Sequence, residues 1–346
     1  MRRSLHRSLA TVLFLPPLLL AVATPALAHD GDDDGDGRDG GRDVPATFTL
    51  SGDPGGSQFE GIDVARGGTF YVTEVTGGEI HRGEVDDPET DVWLDQDDAL
   101  ADGRTIAVGI ATDRRGRVYV AGGGNRTAEG AAADAPDFWV YDDDGELLAS
   151  LRMPVDGPVF LNDVVVGPDG AAYVTDSTSP RIFRISRENG EDGEDGAWQA
   201  TLWAAADAEG APEQGTGFGL NGIEVSPDCQ SLVVVNSNTG ELWRYDLATA
   251  APTQVDTGDV DLTFADGLVV KGSTLVAVRN MPHKLTYLRL DRHATSAEFI
   301  TEVGTDPDRL LTTGDVFRGR LLLVDSQFDE VPPSQDSEVV VLPFRP

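Results

Sequence analysis

Short apolar runs separated by turn residues recur along the chain, and the stretch Phe218–Leu247 shows the pattern most plainly. It contains three strand-like runs, at Leu220–Val225, Ser231–Asn236 and Glu241–Tyr245. A Pro-Asp pair at 227–228 and an Asn-Thr-Gly run at 238–240 separate these runs. Turn residues at this spacing leave no room for helices, so the pattern predicts an antiparallel meander of strands.

The same pattern recurs six times between Phe59 and Val324. Successive copies lie about 50 residues apart, which is typical of a β-propeller whose blades consist only of strands. The residues that open the copies, taken as equivalent, are Glu60, Val108, Asn162, Asn221, Asp266 and Gly314. The sequence therefore predicts an all-β fold, a six-bladed β-propeller.

The sixth copy leaves too few residues before Pro346 for a blade of four strands. The run Thr47–Leu50, ahead of the first copy, has strand character. We expect it to complete the last blade and close the ring, because an open ring would leave bare sheet edges. The alternative is an open solenoid of strands, which would need polar terminal caps that the chain does not show. The predicted propeller domain spans residues 45–346.

The amino terminus has the pattern of a secretory signal peptide. Arg2 and Arg3 precede an apolar run, Leu9–Ala23, and Ala26–Ala28 supplies a small-x-small cleavage signal. Residues 1–28 are therefore predicted to direct secretion of an extracellular protein. A membrane anchor is the alternative, but the run is shorter than the roughly 20 residues of a span and contains two prolines. We expect no membrane span in the mature chain.

Residues 29–44 form a segment rich in Asp and Gly that follows the predicted signal peptide. It holds almost no apolar side chain that could be buried, so it is predicted to be a disordered tail. A calcium-binding loop is the alternative, and it would need a Glu at its twelfth position. Counted from Asp30, that position is Gly41.

The overall charge narrows the choice of partners. The chain has 60 Asp and Glu against 26 Lys and Arg, a formal net charge of −34. Phosphate backbones would be repelled, so we expect no nucleic-acid partner. The same charge attracts cations. Cys229 is the single cysteine, which excludes an internal disulfide.

Four of the six opening residues carry side-chain oxygens, namely Glu60, Asn162, Asn221 and Asp266. The first strand of each propeller blade lines the central channel, so these side chains are expected to converge at one mouth of it. Carboxylates brought together in a partly buried site repel each other, and a divalent cation removes that conflict. Oxygen-only ligands favour Ca²⁺ or Mg²⁺. The alternative is that each Asn-Gly or Asp-Gly pair merely forms a turn.

The four motifs that carry these oxygens together resemble the SMP-30/gluconolactonase family of six-bladed propellers. They are Phe59-Glu60-Gly61-Ile62, Leu161-Asn162-Asp163, Leu220-Asn221-Gly222-Ile223 and Ala265-Asp266-Gly267-Leu268. The resemblance covers nearly the whole predicted mature chain, and the chain is more distantly similar to paraoxonase-type lactonases. It implies one divalent cation, held by Glu60, Asn221 and Asp266, and hydrolysis of a small-molecule lactone. Asn162 would contact the substrate or the metal.

The resemblance also implies a mechanism. The cation, Ca²⁺ with Mg²⁺ or Mn²⁺ as alternatives, would polarise the lactone carbonyl and activate a water. Asp266 would be both a ligand and the catalytic general base, unless a metal-bound hydroxide serves instead, and Asn162 would orient the substrate. Arg279, at the end of a predicted second strand, is a candidate to bind a substrate carboxylate.

One departure from the family pattern and one further residue bear on function. Sugar lactonases of this family often have an Arg shortly before the third-blade Asn, where this chain has Phe160-Leu161. The apolar pair favours a smaller or more apolar ester. His283, near the mouth, is the residue that a streptogramin-lyase-type propeller would use, but a histidine that merely occupies a turn is the favoured interpretation. We therefore predict a secreted, metal-dependent hydrolase of a lactone or similar ester, with a non-catalytic secreted propeller that binds a ligand or protein as the alternative.

Overall fold

The computed structural model describes residues 44–189 and 195–344, and within these ranges almost all regular structure is β-strand. Strand β1, Thr47–Ser51, comes first. Blade one comprises β2 Phe59–Val64, β3 Thr69–Glu74, β4 Ile80–Glu84 and β5 Thr90–Leu94. Helix α1, Gln96–Ala101, follows. Blade two comprises β6 Ile110–Thr112, β7 Val118–Ala121, β8 Phe138–Tyr141 and β9 Leu147–Leu151, with a 3₁₀ turn at Asn125–Thr127.

The remaining four blades repeat the same arrangement. Blade three comprises β10 Leu161–Val166, β11 Ala172–Asp176, β12 Arg181–Asn189 and β13 Asp195–Ala204. Blade four comprises β14 Leu220–Val225, β15 Ser231–Asn236, β16 Glu241–Asp246 and β17 Pro252–Gln254. Blade five comprises β18 Ala265–Lys271, β19 Thr274–Arg279, β20 Lys284–Leu290 and β21 Ala297–Gly304. Blade six comprises β22 Leu311–Phe317, β23 Arg320–Asp325 and β24 Asp336–Pro343.

The sheet order confirms the predicted six-bladed propeller and its closure. Each blade is a four-stranded antiparallel sheet, and β1 supplies the fourth strand of blade six. Phe48 pairs with Val339 in that sheet, so the two ends of the propeller chain share one blade. The first strands of neighbouring blades contact one another all the way around the ring. No sheet edge is therefore left open between blade six and blade one.

The core consists of apolar side chains packed between the faces of neighbouring blades. Phe48, Phe59, Phe70 and Val339 are fully buried in the cluster that joins blades six and one. The alternation of side chains along each strand supplies one apolar face to each neighbour. Tyr71 packs against Trp93, with ring centroids 4.8 Å apart and planes tilted by 59°. Burial of both faces of each sheet holds the blades in place around the channel.

Five of the six inner strands contain a bulge at the same place. The pairing register shifts between Phe59 and Ile62 in blade one, and equivalent shifts occur in blades three to six. In blade six the shift lies between Leu311 and Gly314, which makes Thr312 the equivalent of Glu60. The sequence-based choice of Gly314 was therefore wrong by two residues. A bulge re-aims the side chains beside it, and the Thr312 hydroxyl donates to the Glu60 carbonyl at 3.1 Å.

Two predictions concern residues ahead of the propeller. The signal peptide at residues 1–28 and almost all of the tail at 29–44 lie outside the described residues. Both stay predictions. Across 44–189 and 195–344, no helix has the length and the apolar character needed to cross a membrane.

Candidate functional site

A cavity of about 560 Å³ opens at one end of the central channel. It brings together all four oxygen-bearing residues predicted from the sequence. Its polar lining consists of Glu60, Asn162, Thr216, Asn221, Ser237, Asn238, Asp266 and Asn280. The apolar lining includes Val75, Val108, Phe160, Phe218, Phe264 and Met281. The predicted convergence of side chains from separate blades is therefore what the structure shows.

Close contact between neighbouring inner strands explains why Gly follows three of these residues. A Cβ on Gly222 would lie 2.7 Å from the Asp266 carbonyl oxygen, closer than atoms of this kind approach. Gly61 and Gly267 meet the next blade in the same way. None of the three has a positive φ. These glycines therefore permit close approach of two strands, and the pairs Glu-Gly, Asn-Gly and Asp-Gly are not turns.

The Asp266 carboxylate is held by two side-chain amides. Asn221 Nδ2 donates to Asp266 Oδ1 at 2.6 Å, and Asn280 Nδ2 donates to Asp266 Oδ2 at 2.7 Å. All three residues line the cavity. The carboxylate is thus oriented from blade four on one side and from the end of β19 on the other.

The Asn162 amide has one end bonded and one end free. Ser177 Oγ donates to the Leu220 carbonyl at 2.6 Å, so its lone pairs can accept from Asn162 Nδ2 at 3.1 Å. This arrangement fixes the orientation of the amide. Asn162 Oδ1 is buried and has no hydrogen-bond partner. Buried acceptors are normally paired, so an unpaired oxygen at a cavity lined with carboxylates indicates a site for a cation or a ligand donor.

The surroundings of the two carboxylates in the cavity disfavour their ionised forms. Burial, followed by repulsion from Asp266 and Asp163, raises the pKa of Glu60 well above its usual range. Burial also raises the pKa of Asp266 to about 6, although hydrogen bonds from Asn221 and Asn280 work against the shift. A bound cation would relieve this cost.

The chemistry of the donor set fits a hard divalent cation. In the described ranges no three His, Cys, Asp or Glu side chains gather as a metal cluster, and the cavity offers two carboxylates with amide oxygens instead. Oxygen donors of this kind are preferred by Ca²⁺ and Mg²⁺ over Zn²⁺. Glu60, Asn162, Asn221 and Asp266 are the residues that would hold the ion.

Arg279 does not reach this cavity. Its guanidinium donates to Thr263 O at 3.0 Å, to Glu302 Oε2 at 2.9 Å and to Asp261 Oδ2 at 2.7 Å. It lines a separate surface depression together with Phe299. The structure therefore gives no support to the predicted contact with a substrate carboxylate. Successive residues of a strand point to opposite sides, and the next residue, Asn280, faces the cavity instead.

His283 also lies outside the cavity lining. Its Nδ1 is 3.0 Å from the Arg309 carbonyl oxygen, which holds the turn after β19. The alternative of a streptogramin-lyase-type role for this residue therefore gains no support from its position. Neither Asn280 nor Ser177 was singled out as a site residue from the sequence. Both directly follow the second strand of a blade, as does Ser237, and that repeated position could have identified them.

Comparison with known proteins is consistent with this site. A model of the SMP-30/gluconolactonase/LRE-like region matches residues 60–278, a range that includes all four oxygen-bearing residues. No curated protein matches the chain in sequence.

Solved structures with the same fold are numerous but distant in sequence. The major allergen Mala s 1 of Malassezia sympodialis superimposes with a TM-score of 0.62 at 15% identity, over 86% of this chain and 96% of the allergen. A gluconolactonase from Xanthomonas campestris gives 0.54 at 18% identity, over 87% and 91% of the two chains. Regucalcin from Agrobacterium tumefaciens, a calcium-binding protein, gives 0.54 at 16%, over 82% and 92%. These likenesses support the fold, and the match of the family model over most of the propeller shows that the chain belongs to the SMP-30/gluconolactonase/LRE-like family.

Proposed function

We propose that this protein is a divalent-cation-dependent hydrolase that opens a lactone or similar ester in the channel-mouth cavity. The observation that carries the proposal is the convergence of Glu60, Asn162, Asn221 and Asp266 on one cavity. The unpaired Oδ1 of Asn162 adds a free donor oxygen to that set. Membership of the family supports lactone chemistry. Export to the extracellular space, on the predicted signal peptide at residues 1–28, is part of the same proposal.

The bound cation, Ca²⁺ in our proposal, would polarise the carbonyl of the substrate and lower the pKa of a water. Glu60 and Asn221 would hold the cation in this scheme and would transfer no proton. Asn162 presents its free oxygen, while Ser177 keeps the amide from turning over. Each residue's contribution is therefore its position rather than its reactivity.

Asp266 is the proposed general base. A base must be ionised at the working pH. Burial raises the pKa of Asp266 without the ion, and a bound cation would lower it again and keep the carboxylate ionised. The amides of Asn221 and Asn280 hold one carboxylate oxygen each. The carboxylate is thereby kept from rotating, and it points the same way for each turnover.

A second function, binding of a ligand without catalysis, is favoured by one observation. The cavity is lined mostly by apolar surface, and Phe218, Phe264 and Met281 are each more than half exposed. Such a surface can bind a ligand through apolar contacts, without any reaction at the oxygen-bearing residues.

Base consumption at constant pH distinguishes the two functions. The protein would be assayed against sugar, alkyl and acyl-homoserine lactones, with and without a chelator and with Ca²⁺, Mg²⁺ or Mn²⁺ added back. We expect hydrolysis that the chelator abolishes and one of the ions restores. Absence of hydrolysis with every lactone and every ion would reject the enzyme and leave ligand binding.

A further inference from the structure

The cavity is divided into a polar floor and an apolar wall. Glu60, Asn162, Asn221 and Asp266 form the floor, as described above. The wall consists of Phe160, Phe218, Phe264 and Met281. Among the described residues that line this cavity, none is Lys, Arg or His. A substrate carboxylate or phosphate would therefore find no cationic partner there.

Backbone hydrogen bonds hold two of the aromatic residues at the same place in different blades. Phe160 immediately precedes β10, and Phe264 immediately precedes β18. The Phe160 carbonyl accepts from Ser177 N at 2.8 Å, and the Phe264 carbonyl accepts from Asn280 N at 3.1 Å. Both rings are thus carried by rigid strand ends beside the floor. Phe160 stands in the region where sugar lactonases of the family often have an Arg.

The third aromatic residue completes a wall with the first. The rings of Phe160 and Phe218 have centroids 4.8 Å apart and planes tilted by 54°. Gln214 Nε2 donates to Gly217 O at 3.0 Å and to Ser177 O at 2.7 Å, which ties the loop carrying Phe218 to blade three. The aromatic pair is therefore assembled before any ligand arrives.

The conformation of Phe264 points to a role beyond packing. Its φ is +62°, a region that bulky side chains rarely adopt, and 54% of its surface is exposed. Phe218 and Met281 are each 53% exposed at the same cavity. Strained residues and exposed apolar clusters both concentrate at binding sites. An apolar ligand group would cover this surface, whereas the hydroxyls of a sugar would lie against it without partners.

We propose, resting on the proposed function, that the substrate is a lactone or ester with an apolar alkyl or aryl substituent. The carbonyl group lies on the polar floor, and the substituent runs along the wall of Phe160, Phe218 and Phe264. The class excluded is the polyhydroxylated or anionic sugar lactone. Phe218 and Phe264 are then specificity-determining residues of the site.

The test is a series of γ-lactones from γ-butyrolactone to γ-dodecalactone, with glucono-δ-lactone for comparison. We expect kcat/KM to rise about fourfold for each added methylene until the wall is covered, which corresponds to the free energy of burying a methylene group. Glucono-δ-lactone is expected to be the poorest substrate. A flat dependence on chain length, or a preference for the sugar lactone, would overturn the inference and leave the proposed hydrolase standing.

Two variants and a matched control locate the effect. Phe218→Ser and Phe264→Gly should each lower kcat/KM for the longest lactone about tenfold, and by a smaller factor for γ-butyrolactone, which has no substituent to lie against the wall. Gly suits the positive φ at position 264, so this variant retains the backbone. Phe299→Ser is the control, because Phe299 is 51% exposed but lines the separate depression beside Arg279. An equal loss in the control would overturn the assignment of the wall.

Calorimetric binding of γ-alkyl lactams, which resist hydrolysis, separates this inference from the proposed function. If no lactone is hydrolysed, the proposed function fails. Binding that strengthens with chain length and is lost in Phe218→Ser would still support an apolar-substituted cyclic ligand. Failure of the lactams to bind, or binding that is independent of chain length, would overturn the inference.

Discussion

The two ends of the central channel both carry buried carboxylates, but the carboxylates have different partners. At the candidate site, Glu60 and Asp266 lie among side-chain amides. At the opposite end, a smaller cavity of about 250 Å³ is lined by a group of four acidic residues that we call the acidic ring. They are Asp63, Asp163, Glu224 and Asp315. Negative charge alone therefore does not distinguish the two ends.

The acidic ring is satisfied by backbone groups of neighbouring blades. Asp63 Oδ2 accepts from Thr112 N at 3.0 Å and from its hydroxyl at 2.5 Å. Asp163 Oδ2 accepts from Ile223 N at 2.9 Å. Two further bonds of this kind join Glu224 to Val270 N at 3.2 Å and Asp315 to Val64 N at 2.8 Å. Each carboxylate thus connects its own inner strand to the next one.

The comparison separates a structural use of carboxylates from a ligand-binding one. In the acidic ring each carboxylate has a backbone donor in the next blade, so its hydrogen-bonding capacity is used within the protein. At the candidate site Asn162 Oδ1 has no partner, and Asp266 is held by side-chain amides instead of backbone groups. An unpaired oxygen, rather than a concentration of charge, is what indicates a ligand.

The largest expected effect is on cation binding at the candidate site. Glu60→Gln should abolish both the rise in Tm on adding Ca²⁺ and the cation-dependent hydrolysis, with a loss of activity of at least about 100-fold. Changes to groups that only support metal ligands cost 10–100-fold. The measurements are thermal unfolding and base consumption, each with and without the ion.

The matched control for that prediction is Glu224→Gln at the opposite end. It removes the same charge from the same channel but leaves the candidate ligands in place. Tm should still rise with Ca²⁺, and hydrolysis should persist. If Glu224→Gln rather than Glu60→Gln removed the response to Ca²⁺, the ion would belong to the acidic ring and our assignment of the two ends would be reversed.

The next effect is on stability, through one carboxylate of the acidic ring. Asp63→Ala leaves Thr112 N–H and its hydroxyl without their acceptor. We expect the free energy of unfolding to fall by about 1–3 kcal/mol, as for a buried donor left unpaired. Urea denaturation with and without Ca²⁺ measures it. The increment in stability due to Ca²⁺ should be unchanged, and its loss would show that the two ends are coupled.

A smaller effect concerns the pH dependence of stability. Burial, followed by repulsion from Asp315, raises the pKa of Glu224 well above its usual range. Because the pKa of Glu224 is higher in the folded than in the unfolded protein, its protonated form stabilises the folded protein. This stabilisation is fully present below the unfolded-state pKa, about 4.3, and is lost as the pH rises through the folded-state pKa. Stability without the cation should therefore decline above about pH 4, and Glu224→Gln should flatten that decline. Urea midpoints across the pH range test it, and parallel curves for the two proteins would contradict it.

The smallest expected effect on activity is at Arg279, outside both ends. Arg279→Met removes the ion pairs that this buried residue makes to Asp261 and Glu302 and should lower the free energy of unfolding by about 1–3 kcal/mol. kcat/KM should change by less than about twofold, because Arg279 does not line the cavity. Steady-state kinetics with neutral and anionic lactones is the check. A rise in KM confined to anionic lactones would instead support the predicted contact between Arg279 and a substrate carboxylate.

The sequence by itself determined the fold because its signals are local. The alternation of apolar residues predicts each strand, and turn residues predict where the chain reverses direction. Because both recur about every 50 residues, they predict blades with the same arrangement of strands. The closing strand at Thr47–Leu50 followed from counting strands. The four oxygen-bearing residues followed as well, because equivalent places in a repeat occupy equivalent places around the channel.

Only the tertiary structure decided which side chains meet. The bulge in five of the six inner strands is invisible in the residue pattern. In blade six it makes Thr312, and not Gly314, the equivalent of Glu60. At the end of β19, Arg279 lines a depression outside the cavity, and the next residue, Asn280, lines the cavity itself. The partners of the acidic ring are backbone groups of another blade, and no local pattern specifies them. Contacts between segments far apart in the chain depend on register and curvature, which the packing of all six blades sets together.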